Sequence, residues 1–185
     1  ALLALDNTYG HDIVSTGPVF QSLETVGNTL EITFDSAEGL TTSDALAPDW
    51  FELEVAEGVY TSATAVVSSN MVILSSPAVV VPTSMRFAWS QVAQPNLRNG
   101  AGLVASAFRA ELGLYGVWSA DFGLSGSNAV YTANPDGDAL DNLAEYAMGG
   151  NPTNEFDWGH APVIGTYREN GTNWFEYVYA RRTDA

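Results

Sequence analysis

The residues best suited to chemistry form an acidic stretch at positions 134–145. Side chains with an oxygen ligand occupy positions 1, 3, 5, 9 and 12 of this stretch, and they are Asn134, Asp136, Asp138, Asn142 and Glu145. This spacing is typical of a twelve-residue calcium loop, in which the backbone carbonyl at position 7, here that of Leu140, is a further ligand. A glutamate at position 12 completes the sphere from the following helix, and Ca²⁺ prefers such hard oxygens. The stretch therefore predicts a Ca²⁺ site with these six ligands, Asn142 binding through water.

Two positions of this loop depart from the ideal pattern. Position 1 is Asn134 instead of aspartate, which removes one negative charge. Position 6 is Ala139 instead of the glycine that permits a sharp turn. Both departures predict weaker binding. The alternative interpretation is an ordinary Asp-Gly turn in which Asp138 lies near the N-terminus of a helix.

The residue types needed for covalent catalysis are sparse. The chain has two histidines, His11 and His160, and neither is accompanied by a Gly-x-Ser-x-Gly turn of the kind that presents a serine nucleophile. The two histidines lack the spacing of a paired zinc site. Cysteine is absent, which excludes disulfides, thiolate zinc sites and a cysteine nucleophile. We therefore predict that this chain by itself is not an enzyme.

The five tryptophans offer a second kind of chemistry, because exposed aromatic rings can stack on the apolar faces of sugars. Trp50 and Trp89 lie in or beside strand patterns and are predicted to be core residues. Trp118, Trp158 and Trp174 lie in the loop-rich C-terminal part. For these three, core positions are the favoured interpretation, and they are the candidate residues if the chain has a carbohydrate-binding face.

The charge of the chain limits its partners. Against 22 acidic residues stand 6 arginines and no lysine, which gives a formal net charge of −16. Nucleic-acid binders carry a basic stripe, and anionic membranes repel an acidic chain, so the net charge argues against both kinds of partner. A divalent cation or a neutral glycan fits the charge. No run of about 18 apolar residues occurs, so no membrane span is predicted.

The first part of the chain is predicted to be a β-sandwich. A short helix is expected over residues 1–9, ending at Gly10, as the end of a larger element. Within residues 17–88, apolar and polar residues alternate with a period of two, most clearly over 30–35, 51–55 and 85–89. Turn residues separate these runs, including Ser69-Asn70. Several short strands of this kind are typical of a small antiparallel β-sandwich.

A second module is expected after a boundary near Gly113. Residues 113–128 are rich in Gly and Ser, and Ala139–Met148 is predicted to be a helix with Leu140, Leu143, Ala144 and Ala147 on its apolar face. Asn170-Gly171 between two β-prone runs, 162–168 and 173–180, predicts a hairpin. The predicted fold class is therefore mainly β. A small antiparallel β-sandwich at 1–112 is followed by a calcium-loop, helix and hairpin module at 113–185.

Six ordered segments of the first part carry a family resemblance. They lie at residues 3–10, 15–20, 32–40, 85–89, 95–99 and 102–109. In order and spacing they resemble the C-terminal part of the sialate O-acetylesterase-like carbohydrate esterases. In that family a flavodoxin-like SGNH domain carries the serine nucleophile and an Asp-x-x-His pair just ahead of the helix that residues 1–9 resemble. No residue here matches those catalytic positions, so the resemblance implies a non-catalytic region whose partner is the SGNH domain of its parent chain.

Residues 118–185 resemble a different unit, a C-terminal extension of secreted and surface proteins from planctomycete- and verrucomicrobia-type bacteria. The matching segments are Asn142–Met148, Gly150-Asn151-Pro152 and Tyr177–Arg182. The resemblance implies Ca²⁺ binding and a secreted or cell-surface location. Both chain ends are expected to be internal to a longer protein. The alternative functions are a carbohydrate-binding module and a structural or surface-anchoring spacer.

Overall fold

The computed structural model describes residues 2–179, and the chain forms two compact units, Ala1–Leu112 and Gly113–Ala185. The fold is mainly β, as predicted, with several antiparallel sheets and few helices. Helix α1 (Leu2–Asn7) is shorter than the predicted 1–9, and Gly10 has a φ of 68°, which suits a residue just beyond a helix end. Ala1 and residues 180–185 lie outside the described residues, and with them the Arg181-Arg182 pair that ends the second resemblance. Across residues 2–179, no helix has the length and apolar character that crossing a membrane requires.

The first unit is a sandwich of two four-stranded antiparallel sheets. Its strands are β1 (Val19–Val26), β2 (Thr29–Asp35), β3 (Thr41–Thr42), β4 (Phe51–Ala56), β5 (Val59–Ser62), β6 (Thr64–Ser68), β7 (Met71–Ser75), β8 (Ser84–Phe87), β9 (Leu97–Arg98) and β10 (Phe108–Glu111). One sheet has the order β1-β2-β7-β6 and the other the order β10-β8-β4-β5, while β3 and β9 form a small separate pair. The predicted β-sandwich is confirmed.

The core of this sandwich follows the period-two pattern of the sequence. Leu30, Ile32 and Phe34 on β2 are at most 2% exposed, while the residues between them are partly exposed. The ring of Phe108 joins the two sheets, since its centroid lies 5.1 Å from that of Phe20 on β1 and 5.7 Å from that of Phe87 on β8. Burial of alternate apolar residues between the sheets is the main stabilising contribution in such a fold.

Two expectations about this unit are wrong. Trp50 and Trp89, predicted to be core residues, are 39% and 56% exposed. Trp50 directly precedes β4 and has a φ of 62°, a left-handed conformation that takes its side chain out of the strand alternation.

The second unit combines three short helices with one hairpin. Its helices are α2 (Leu114–Asp121), a 3₁₀ turn (Gly126–Asn128) and α3 (Asn142–Met148), and its strands are β11 (Val163–Glu169) and β12 (Thr172–Val178). The sequence did not predict α2, because Gly113 and Gly116 gave that region a loop-like composition. Within the described part of this unit, the buried apolar side chains are those of Trp118, Ala120, Leu124 and Pro152. This is a small apolar core for a unit of its length.

The predicted hairpin is confirmed. Strands β11 and β12 pair in antiparallel register from Val163 opposite Val178 to Glu169 opposite Thr172. Asn170 and Gly171 connect them with φ values of 50° and 81°, as the favoured two-residue turn requires. Nearly every residue of both strands is exposed, so both faces of this hairpin are open within the described chain.

Candidate metal centre

The acidic loop is shaped by its own side chains. The Oδ1 atom of Asn134 accepts a hydrogen bond from the Gly137 amide at 2.8 Å. The Oδ1 atoms of Asp136 and Asp138 accept the amides two residues further on, at 3.3 Å and 2.6 Å. Such side-chain to backbone bonds replace regular secondary structure in turns. Each aspartate thereby uses one oxygen to fold the loop and keeps the other.

The sharp turn of this loop lies two residues earlier than the calcium-loop pattern predicts. Gly137, at position 4, has a φ of 78°, whereas Ala139, at position 6, is not among the residues with a positive φ. Alanine at position 6 therefore introduces no backbone strain. In this loop Gly137 provides the left-handed conformation, and the predicted effect of Ala139 on calcium affinity stays a prediction.

Helix α3 begins at Asn142, three residues later than predicted. Asp141 is its N-cap, with the side chain accepting the Ala144 amide at 2.9 Å, so residues 139–141 remain in the loop. The predicted apolar face is wrong as well, since Leu143 is 48% exposed. The buried face of the helix is polar instead, and both Asn142 and Glu145 are 0% exposed. This inversion places a glutamate where a helix normally buries an apolar residue.

Three carboxylates converge where the loop meets this face. One ligand atom from each of Asp136, Asp138 and Glu145 lies within 4.8 Å of the others. Ca²⁺ binds oxygens at 2.3–2.6 Å, so oxygens on opposite sides of one ion are about 4.6–5.2 Å apart. The three carboxylates are therefore spaced as ligands of a single cation.

Four oxygens of this cluster are buried without a hydrogen-bond partner: Asp136 Oδ2, Asp138 Oδ2, and Oε1 and Oε2 of Glu145. Burial, together with the charges of Asp136, Asp138 and Asp157, raises the pKa of Glu145 from 4.5 to about 7. Buried polar atoms normally have partners, and buried charges are normally paired or bound to metal. A divalent cation satisfies both requirements at once.

The other predicted ligands lie in the same region, and their ligand roles stay predictions. Asn134 is at the start of the loop, where its amide nitrogen donates to the Asp138 carbonyl at 2.8 Å. Leu140 lies in the turn that the Asp138 side chain fixes. The amide nitrogen of Asn142 donates to the carbonyls of Asn128 and Val130, at 2.7 Å and 3.0 Å. Asn142 therefore ties the preceding segment to α3, a role that the spacing did not predict.

Asp157 belongs to the surroundings of this site although it lies outside the twelve-residue loop. The negative charge of Asp157 contributes to the raised pKa of Glu145. The sequence contained a signal for this approach, because Gly150 and Gly159 bracket the segment. A Cβ atom on Gly150 would lie 2.9 Å from the Asp157 carbonyl oxygen and 3.3 Å from Glu145 Cβ.

The candidate sugar-binding tryptophans do not form one group. Trp118 is only 6% exposed, and its ring packs on those of Tyr115, Phe122 and Tyr146 with centroids 5.4–5.5 Å apart, so its prediction as an exposed platform is wrong. Its position on α2, an unpredicted helix, explains the burial. Trp158 and Trp174 are 53% and 49% exposed. Trp158 lies in the loop after α3 and Trp174 on β12.

The two histidines lie in different parts of the chain. His11 and His160 are both exposed and belong to different units.

Comparison with solved structures shows a likeness over part of the chain. No protein-family model matches the chain, and no curated protein matches it either. Among solved structures, the chain is similar to a carbohydrate acetylesterase from Xanthomonas citri, with 31% sequence identity and a TM-score of 0.57. The match covers 60% of this chain and 26% of that one, so this chain corresponds to about a quarter of that structure. The fold of this chain is therefore related to a carbohydrate esterase over part of its length.

Proposed function

We propose that this chain is a non-catalytic accessory region of a secreted carbohydrate O-acetylesterase-like protein, and that its second unit is stabilised by Ca²⁺. The observation that carries the calcium assignment is Glu145, a carboxylate that is 0% exposed and has no hydrogen-bond partner for either oxygen. Asp136 and Asp138 each direct a free oxygen to the same place. Asn134, the Leu140 carbonyl and Asn142 complete the proposed ligand set.

The small core of the second unit supports a structural role for the ion. With few buried apolar side chains, a unit of this size gains little stability from hydrophobic burial, and small domains often add a metal. The ion would join the loop at residues 134–141 to helix α3 through Glu145. Binding energy of that kind is folding energy, because the site does not exist in the unfolded chain. A millimolar extracellular Ca²⁺ concentration suits such a site, which agrees with a secreted or cell-surface location.

The accessory role rests on the match to the carbohydrate acetylesterase. A shared fold over 26% of that enzyme leaves the larger share of it without a counterpart here. In the proposed arrangement, a catalytic SGNH domain elsewhere in the parent chain removes acetyl groups from sugar by a serine nucleophile with histidine as base. The partners of this region are that domain and the glycan.

Calcium binding is tested directly by isothermal titration calorimetry on the full chain after chelator treatment. We expect one site with a Kd of about 10⁻⁴–10⁻³ M, the range of extracellular modules. Glu145→Gln should abolish the heat of binding, while Glu155→Gln, at an exposed position, should leave it unchanged. Equal binding by wild type and Glu145→Gln would contradict the assignment.

The accessory role is tested by an ester hydrolysis assay with 4-nitrophenyl acetate and acetylated xylan. The chain alone should give no turnover above that of the heat-denatured control. Turnover that disappears in His11→Ala or His160→Ala would show that this chain carries its own catalytic residues and would end the accessory interpretation.

A further inference from the structure

The segment that follows α3 is a closed loop that returns to the helix it left. Its first amide, from Gly150, donates to the Glu145 carbonyl at 2.8 Å, and the amide of His160 donates to the Met148 carbonyl at 2.8 Å. The two ends nearly touch, because a Cβ atom on Gly159 would lie 2.5 Å from the Gly150 nitrogen. Within the loop, the Asn151 amide donates to the Asp157 carbonyl at 3.0 Å. Compact loops with closed ends are frequently functional.

This loop holds one aromatic ring in a fixed and accessible position. Trp158 is 53% exposed, and its indole Nε1 donates to the Glu155 carbonyl at 2.8 Å. The bond satisfies the only polar group of the side chain and restricts its rotation. A ring that is fixed before binding loses little conformational entropy when a ligand stacks on it. Phe156, 85% exposed, adds a second apolar surface in the same loop.

The chemistry around Trp158 selects the class of ligand. No lysine or arginine occurs between Gly150 and Tyr167, while Glu155 and Asp157 lie beside the ring in sequence. An anionic ligand would be repelled by these carboxylates and by the net charge of −16. A neutral sugar presents apolar C–H groups to an aromatic face and hydroxyl donors to carboxylates, so it fits both features.

The loop and the candidate metal centre share Glu145. Its carboxylate belongs to the acidic cluster, and its carbonyl accepts the amides of Gly149 and Gly150, where the loop begins. The loop also packs closely on this residue, because a Cβ atom on Gly150 would lie 2.9 Å from the Asp157 carbonyl oxygen and 3.3 Å from Glu145 Cβ. A cation held by the Glu145 carboxylate would therefore fix the residue from which the loop begins.

We propose that the loop at residues 150–159 is a binding site for neutral polysaccharide, with Trp158 as the stacking residue, and that Ca²⁺ at the Asp136–Asp138–Glu145 cluster strengthens this binding. The inference rests on the proposed calcium site. It adds neutral polysaccharide as a class of ligand, and it adds a coupling between the loop and the calcium site through Glu145. Coupling between two binding sites is reciprocal, so the polysaccharide must raise calcium affinity by the same factor.

Affinity electrophoresis tests the binding site. The full chain is run in native gels containing soluble xylan or soluble glucomannan, with Ca²⁺ or with a chelator. Retardation is expected with Ca²⁺, and Trp158→Ala should weaken it about tenfold, the effect of losing one central aromatic contact. Trp89→Ala is the matched control, since that residue is similarly exposed but belongs to the first unit, and it should be retarded like wild type. No retardation in either gel, or loss in Trp89→Ala alone, overturns the proposal.

The coupling is tested by the indole N–H signals of tryptophan in ¹H–¹⁵N NMR spectra, with Trp158→Phe identifying the Trp158 signal. Ca²⁺ should shift this signal in wild type but not in Glu145→Gln, and the Trp89 signal of the first unit should not move. If calorimetry detects no Ca²⁺ binding, the proposed function itself fails. If Ca²⁺ binds while the Trp158 signal stays fixed and retardation ignores the chelator, only the coupling is overturned.

Discussion

The strongest prediction concerns the response of the second unit to pH with and without Ca²⁺. In the calcium-free folded chain the pKa of Glu145 is raised from 4.5 to about 7, chiefly by burial. Below pH 4.5 this carboxyl is protonated in both the folded and the unfolded chain, so it adds no pH dependence. Between pH 4.5 and 7 the unfolded chain releases the proton while the folded chain keeps it. The free energy of unfolding must therefore fall across this window, and the loss is complete above pH 7.

The size of this effect follows from the two pKa values. Each pKa unit corresponds to about 1.4 kcal/mol, so ionised Glu145 destabilises the calcium-free fold by about 3 kcal/mol above neutral pH. Ca²⁺ binds the ionised form and opposes this loss. With a Kd of about 10⁻⁴–10⁻³ M, about 10 mM Ca²⁺ stabilises the fold by about 1.4–2.7 kcal/mol. For a unit of this size, that free energy corresponds to a rise in Tm of roughly 6–20 °C.

Differential scanning calorimetry between about pH 5 and pH 8, in chelator and in Ca²⁺, measures these terms together. Wild type in chelator should lose stability as the pH rises, and the calcium-induced rise in Tm should be large near pH 8 and small near pH 5. Glu145→Gln should lack both responses, since its side chain neither titrates nor binds the ion. The control Glu155→Gln should behave as wild type. Parallel pH curves for wild type and Glu145→Gln in chelator would refute the reasoning.

Three further predictions test individual residues. Gly137→Ala should lower the free energy of unfolding of the second unit by about 1 kcal/mol, because residue 137 has a positive φ. Ala139→Gly should lower it by about 0.5–1 kcal/mol, because glycine gives the unfolded chain more conformational freedom, and both effects are measured by urea unfolding. Ala139→Gly should not improve calcium affinity. Trp118→Ala should destabilise the unit by about 3–5 kcal/mol, and Trp174→Ala by less than about 0.5 kcal/mol, in the same assay. Asn134→Asp adds a fourth carboxylate and should raise calcium affinity about tenfold by calorimetry, while lowering Tm in chelator.

The sandwich could be predicted because its burial follows backbone geometry. A strand places alternate side chains on opposite faces, so a period of two in the sequence becomes one buried face, as at Leu30, Ile32 and Phe34. The hairpin at Asn170-Gly171 was predictable for a similar local reason, since few other residue pairs adopt its turn. Trp50 does not follow this pattern, because its own left-handed conformation just before β4 takes its side chain out of the strand alternation.

The second unit was less predictable because local preference and tertiary burial disagree there. Gly113 and Gly116 concealed helix α2, and with it the burial of Trp118. In α3, periodicity pointed to Leu143 on the buried face, yet the buried side chains are Asn142 and Glu145. Hydrophobic patterns cannot identify a face that is buried for its polar groups. The spacing of the acidic residues indicated where the carboxylates meet, but the closed loop that brings Asp157 near them depends on contacts distant in sequence.

The open hairpin has a consequence for the colloidal behaviour of the protein. Each of its strands has one edge without a strand partner in the described chain, and its exposed side chains include Ile164, Phe175 and Tyr177. Edges of this kind readily pair with a second chain, and natural proteins protect them with charge. Here the protection comes from the whole molecule, whose net charge of −16 makes two copies repel. Salt screens the repulsion between two copies, because the Debye length falls from about 10 Å at 0.1 M salt to about 3 Å at 1 M. Concentrated salt should therefore allow two copies to associate through their hairpins.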